Sequence, residues 1–206
     1  MTSLRSGVKL TLMKKLSLYI FLVLMWCNVG FAKDISEYKI EGMTIGVSLL
    51  DYFTENEIIK NISEEEDEVR EKNKFYDVNL FYLPHFETYD MVQIALKFND
   101  KNYKIYGVDG IIHFKNRIED CYKKQQKVNK EFSEDFEYVE KKERGTIDHP
   151  DYDGATTKDI FFLLKTGEVL MINCTDYSNK DNEAGDEDLF RIGLWTKELN
   201  EWLTNI

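Results

Sequence analysis

The sequence predicts an α+β fold: an antiparallel sheet with helices packed mainly on one face. Three observations lead there. Apolar residues alternate with polar ones through the central third, at Val92, Ile94, Leu96 and Phe98 with Gln93 and Lys97 between them. Two pairs of such runs are joined by short polar turns. Each group of strands is followed by a segment with helical spacing, which places helices against a sheet rather than between parallel strands.

From Ile40 the chain reads as a short strand or turn through Gly46, entering a helical segment near Ser48 whose apolar face is Leu49, Leu50 and Phe53. Thr54 and Glu57 have capping-box spacing ahead of Ile58 and Ile59. Ser63 to Glu71 holds five consecutive acidic residues, Glu64 to Glu68, and reads as a solvated face or loop. Val78 to Leu83 is a strand; Val92 to Phe98 and Tyr103 to Phe114 form a hairpin around Asn99-Asp100-Lys101-Asn102, with Gly107 and Gly110 marking a bulge or bend. Asn116 and Glu119 have capping-box spacing before a helix of about 17 residues carrying Ile118, Cys121, Tyr122, Val128 and Phe132. After a polar stretch with Gly145 and Pro150, Ile160 to Lys165 and Glu168 to Thr175 form a second hairpin around Thr166-Gly167. Leu189 to Trp195 is a further strand, and Thr196 caps a last helix with Leu199, Trp202 and Leu203. The order βββα, then βββα, suggests a duplication.

The N-terminus predicts export. Arg5, Lys9, Lys14 and Lys15 precede an apolar run from Leu16 to Cys27, followed by Gly30 and Ala32 at the −3 and −1 positions of a signal-peptidase site. The run is too short for an anchor. The expected division is a signal peptide over residues 1–32, cleaved after Ala32, and a single α+β domain over residues 33–206, periplasmic or secreted, with no stable membrane insertion after cleavage. Met13-Lys14-Lys15-Leu16 would also serve as a signal start.

Four of the 27 basic residues and none of the 38 acidic ones lie in that leader, so 23 basic residues face 38 acidic ones in the remainder, a formal charge of −15. Such a chain repels polyphosphate, and nucleic-acid binding is excluded as an expectation. Without Cys27 the cysteines are two, Cys121 and Cys174, and an oxidising compartment invites a disulfide between them.

Candidate chemistry is sparse. Gly46-Val47-Ser48-Leu49 resembles the Gly-Asp-Ser-Leu block of the GDSL esterases, which implies Ser48 as nucleophile. Val47 stands where that family has Asp, and no histidine here has an Asp three residues before it. A serine without a base is a weak nucleophile, so Ser48 is read as a helix N-cap. His85, His113 and His149 are scattered, without metal-ligand spacing. A Cys121–His113 thiol–base dyad would be abolished by the disulfide. Asp148, Asp151, Asp153, Gly154 and Asp159 crowd one loop, and Asp176, Asp181, Glu183, Asp186, Glu187 and Asp188 another. Such oxygen-rich loops can hold calcium, though neither has EF-hand spacing. Asn61-Ile62-Ser63 and Asn173-Cys174-Thr175 match the glycosylation sequon, which matters only in a eukaryotic secretory pathway.

The opening Ile40-Glu41-Gly42-Met43-Thr44-Ile45-Gly46, with the alternating strands behind it, resembles a family of small exported bacterial proteins. A Gly-containing turn before a short helix is also loosely similar to envelope modules of the BamE type. These likenesses imply export and carry no activity. The expectation is a non-catalytic exported protein that binds an envelope protein or a small ligand and needs no cofactor. The alternatives are a hydrolase whose site assembles only in three dimensions, from Ser48 and the histidines, and a calcium-binding envelope protein.

Overall fold

Alternating apolar positions require a sheet with one buried face, and this is what forms. The computed structural model describes residues 35–62, 74–115, 117–150, 152–177 and 187–205, all within the unit Lys33–Ile206. The expected leader and the acidic run from Ser63 to Glu71 lie outside the described residues.

Eight strands make one antiparallel sheet: β1 (Phe75–Phe81), β2 (Met91–Lys97), β3 (Ile105–His113), β4 (Tyr138–Glu143), β5 (Ile147–Asp148), β6 (Thr156–Leu164), β7 (Val169–Asp176) and β8 (Leu189–Trp195). Their spatial order is β1-β2-β3-β8-β7-β6-β4, with β5 also paired to β6. Outward from the central β3–β8 pair, each half is a three-stranded meander, matching the repeated βββ pattern of the sequence. The strands β4 and β5 belong to the second half alone.

One row across the sheet shows how sequence period becomes core. Val78, Ile94, Val108, Leu194, Leu170 and Phe162 are consecutive register partners, and every one is fully buried. The helix α2 (Ile118–Asp135) lies on this face and buries Cys121, Gln125 and Phe132. Gln125 meets the sheet as a donor, its Nε2 reaching the Lys158 carbonyl at 2.7 Å, so its burial leaves no unpaired amide there. The N-terminal segment joins the same core through Ile40, Met43, Leu49 and Ile58. At about 25 cal/mol per Å² of apolar area, this face dominates the stability of the fold.

The capping residues act as their spacing predicts at two sites. Thr54 opens α1 (Glu55–Lys60) with a complete capping box, in which the Glu57 carboxylate accepts from the Thr54 amide at 2.8 Å. Thr196 opens α3 (Lys197–Leu203), its hydroxyl accepting from the Leu199 amide. Two expectations are corrected. The helix near Ser48 is a single 3-10 turn, Leu49–Asp51, that buries Leu49 and leaves Leu50 exposed. The N-cap position of the long helix is Arg117, which makes no side-chain cap bond, and not Asn116, which lies outside the described residues.

Among the described residues, α3 is the one helix that departs from the first face. A bulge aligns Ala95 with Gly107 and Leu96 with Ile105, leaving Tyr106 as the extra residue. Tyr106 joins Phe75 and Leu199 in a second, smaller apolar cluster, flanked by Ala95, Trp195 and Trp202. A Cβ at Gly107 would sit 2.6 Å from Leu199 Cδ2, so the absent side chain is what lets α3 seat on β3.

The disulfide staples helix to sheet as expected. Cys121 in the first turns of α2 is bonded to Cys174 in β7, with their Cα atoms 6.0 Å apart. Among the described residues no helix is long and apolar enough to cross a membrane.

Candidate functional site

Shifting the buried row by one residue exposes the opposite face. Asn79, Gln93, Asp109, Gly193, Met171 and Phe161 are register partners there. Asp109 stands in the middle of β3 and is only 7% exposed. Its Oδ1 accepts from the Trp195 indole N–H at 2.9 Å. Its Oδ2 lies 3.8 Å from Nε of Arg191 on the neighbouring β8. Arg191 Nη2 in turn donates to Gln93 Oε1 at 2.7 Å. A charged pair so placed must be held by further polar groups to offset its desolvation, and Trp195 and Gln93 supply them. Burial pushes the Asp109 carboxyl above the usual carboxylate range, and the Arg191 charge and the Trp195 hydrogen bond only partly oppose it.

These groups line a cavity of about 270 Å³ between α3 and the sheet. Its polar side chains are Asp77, Gln93, Asp109 and Arg191; its apolar wall includes Phe75, Trp195 and Trp202. Gly193 is required opposite Asp109. A Cβ there would lie 2.3 Å from Asp109 Oδ1 and 3.0 Å from Trp195 Nε1, displacing the hydrogen bond between them.

The polar stripe continues across the sheet. Asn173 is the register partner of Arg191, and its Nδ2 donates to Asp159 Oδ1 at 2.6 Å and to the Thr157 hydroxyl. The Thr157 hydroxyl also donates to Asp159 Oδ1 at 2.9 Å, and Arg144 Nη1 lies 3.8 Å from Asp159 Oδ2.

The residues singled out in the sequence do not converge here. Ser48 caps its turn, accepting from the Leu50 amide at 3.2 Å and donating its own proton to the Asn102 carbonyl at 2.6 Å. Its hydroxyl is committed as a cap. His113 receives Asp90 from both sides, with its amide donating to Asp90 Oδ2 at 2.8 Å and its Nδ1 3.7 Å from the same oxygen. His85 packs against Phe53 and Phe86, and His149 against Tyr152 and Tyr177. Cys121 is in the disulfide, which removes the thiol that a dyad with His113 requires.

Of the first acidic loop, Asp148 and Asp153 are exposed, whereas Asp159 points into the polar network above; Asp151 lies outside the described residues. In the second, Asp188 is buried and accepts from the Tyr177 amide at 3.2 Å. Burial first, and then neighbouring Asp176, push its carboxyl upward. Asp181, Glu183 and Asp186 are outside the described residues. Among the described residues no three His, Cys, Asp or Glu side chains gather as a metal ligand set.

A further carboxylate was not anticipated. Glu41 accepts from three consecutive amides, those of Glu87, Thr88 and Tyr89, at 2.9, 2.7 and 2.9 Å. Burial works to raise its pKa, but the three donors outweigh it and hold the carboxyl below the usual range. This clamp fixes the β1–β2 connection onto the N-terminal segment.

No family model, curated protein or solved structure matches the chain. Fold and site together define an α+β protein with a polar, aromatic-walled cavity on the outer face of its sheet.

Proposed function

We propose that this chain is an exported, non-catalytic binding protein, and that it takes its ligand in the cavity between α3 and the sheet. The observation that carries the reading is the Asp109–Arg191 pair, a desolvated charge pair at an aromatic-walled concavity. A stability requirement alone would favour apolar side chains there, because a buried pair rarely adds to stability over well-packed hydrophobic residues. Small-molecule sites combine an apolar wall with a few polar groups that fix orientation, and this cavity has that make-up. Two further observations support the non-catalytic reading. The Ser48 proton is given to a carbonyl, and the three histidines sit in separate places, each packed on its own neighbours. The Cys121–Cys174 disulfide suits the oxidising compartment to which the N-terminal segment would direct the chain.

The test is a thermal-shift screen of polar aromatic and aliphatic small molecules against the purified chain and against Ala95→Phe, which fills the cavity from β2. Compounds that raise the melting temperature of the parent and leave Ala95→Phe unmoved support the reading, since ligand bound to the native state stabilises it by mass action. Equal shifts in both proteins would refute it. Cell fractionation tests export separately: the processed chain is expected in the periplasmic or extracellular fraction, and retention in the cytoplasm would contradict that part.

A further inference from the structure

The polar side chains of the cavity hold more donors than the protein itself uses. A guanidinium carries donors alone, so Gln93 must turn its carbonyl oxygen towards Arg191, and that is the contact made, from Nη2 to Oε1 at 2.7 Å. The Gln93 Nε2 amide is thereby turned away from the guanidinium, and among the described residues it has no acceptor. Arg191 Nε is buried and also donates to nothing. Asp109 Oδ2, 3.8 Å from it, is within ionic range but beyond hydrogen-bond reach. A lining with donors in excess calls for an acceptor from outside the chain.

Charge narrows the choice of acceptor. Asp109 accepts from Trp195 at 2.9 Å and faces the Arg191 charge, and Asp77 has a partner of its own within the protein, so neither carboxylate is left over as a counter-ion for a cation. An anion would meet these two carboxylates against a single guanidinium. The walls set the shape. The rings of Phe75 and Trp202 meet edge to face at 5.4 Å, and Trp195 is held in place by its bond to Asp109. The space of about 270 Å³ exceeds the roughly 150 Å³ that admits a benzene ring.

We propose that the cavity binds a neutral, flat amide, whose carbonyl oxygen accepts from Gln93 Nε2 and the Arg191 guanidinium and whose ring lies against Trp195 and Trp202. This rests on the binding reading above and adds to it the chemical class of the ligand. A neutral carbonyl answers the spare donors without bringing a charge into a partly desolvated site. A charged ligand would give up its hydration there with no free opposite charge to replace it.

The experiment follows the indole N–H signals of the ¹⁵N-labelled chain, assigned with Trp195→Phe and Trp202→Phe, during titration with benzamide, benzoate and benzamidinium. These three have nearly one shape and differ in charge and in what they donate and accept. Benzamide is expected to move both cavity indoles and to bind about tenfold more tightly than either ion, the scale of one hydrogen bond won or lost in the site. Gln93→Glu keeps an acceptor for Arg191 and removes the spare N–H donors; with its fold checked by circular dichroism, it should bind benzamide about tenfold more weakly and prefer benzamidinium. The order of the three compounds on the parent chain decides the matter even where that variant fails to fold. Equal binding of the three, tightest binding of either ion to the parent, or an undiminished preference for benzamide in Gln93→Glu would each overturn the amide assignment while leaving a binding cavity. Silence of both indoles towards all three compounds would overturn the assignment and the binding reading beneath it.

Discussion

The indole N–H of Trp195 reaches the carboxylate of Asp109 at 2.9 Å, from a strand position two residues beyond the one that faces it. The residue directly opposite Asp109 is Gly193, and its missing side chain is what opens the diagonal path. This relationship ties β3 to β8 on the outer face, and it fixes the orientation of one wall of the cavity.

Gly193→Ala should therefore cost more than an ordinary strand substitution. Its Cβ would contact Asp109 Oδ1 at 2.3 Å, so either the carboxylate or the indole must move and the hydrogen bond is lost. A loss of about 2–3 kcal/mol is expected from overpacking and an unpaired buried donor. Urea unfolding of the two proteins measures it; an unchanged midpoint would remove the hydrogen bond from the account.

Gly107→Ala should loosen α3 by about 1–3 kcal/mol, because Leu199 Cδ2 stands 2.6 Å from the added Cβ. Gly145→Ala is the control, since nothing lies within 4 Å of a Cβ there. Thermal melts should show a fall for the first and almost none for the second. Equal behaviour would mean that α3 is not seated on β3 as described.

The pattern of success in the sequence has a physical basis visible in particular residues. Leu189–Trp195 was legible to the residue because Phe190, Ile192 and Leu194 alternate with residues on the outer face. The hairpin around Gly167 was legible because that glycine takes φ 96°, a conformation a turn of this kind demands. Strand β4 was missed: Tyr138–Glu143 is an edge strand in which four of six residues are charged, so it carries no apolar period. The candidate site was missed for a different reason. Asp77, Gln93, Asp109 and Arg191 come from four strands and meet only through register. The usable signal was a lone aspartate inside the apolar run Ile105–Ile111, a position that a sheet core does not tolerate without a partner.

Two carboxylates should give opposite pH signatures. The Glu41 pKa is held below its ordinary 4.5, so its stabilisation is present above that value and is lost as pH falls through the folded pKa. The gap in stability between the parent and Glu41→Gln, about 1 kcal/mol at neutral pH on hydrogen-bond grounds, should close as the solution is acidified. The Asp109 pKa is raised above its ordinary 3.8. Its contribution is greatest below that value and declines as pH rises through the folded pKa, so Asp109→Asn should gain on the parent with increasing pH. Denaturant titrations at several pH values read both slopes. Parallel curves for either pair would show that the group is not shifted.

Reduction tests the staple. The bond between Cys121 and Cys174 closes a loop over a sequence separation of 53, and its loss should cost about 3–4 kcal/mol in the chain-entropy description. The parent should melt lower in reducing buffer, whereas Cys121→Ala/Cys174→Ala should melt at one temperature in both buffers. A parent indifferent to reductant would place the cysteines apart in solution.

The central claim is that the cavity beside Asp109 and Arg191 holds a ligand. Native mass spectrometry of the chain recovered gently from the producing cell's envelope fraction tests it most directly, with Ala95→Phe recovered in parallel. The account predicts a small-molecule adduct on the parent that is absent from the filled variant. The same adduct on both, or an adduct on neither, would contradict it.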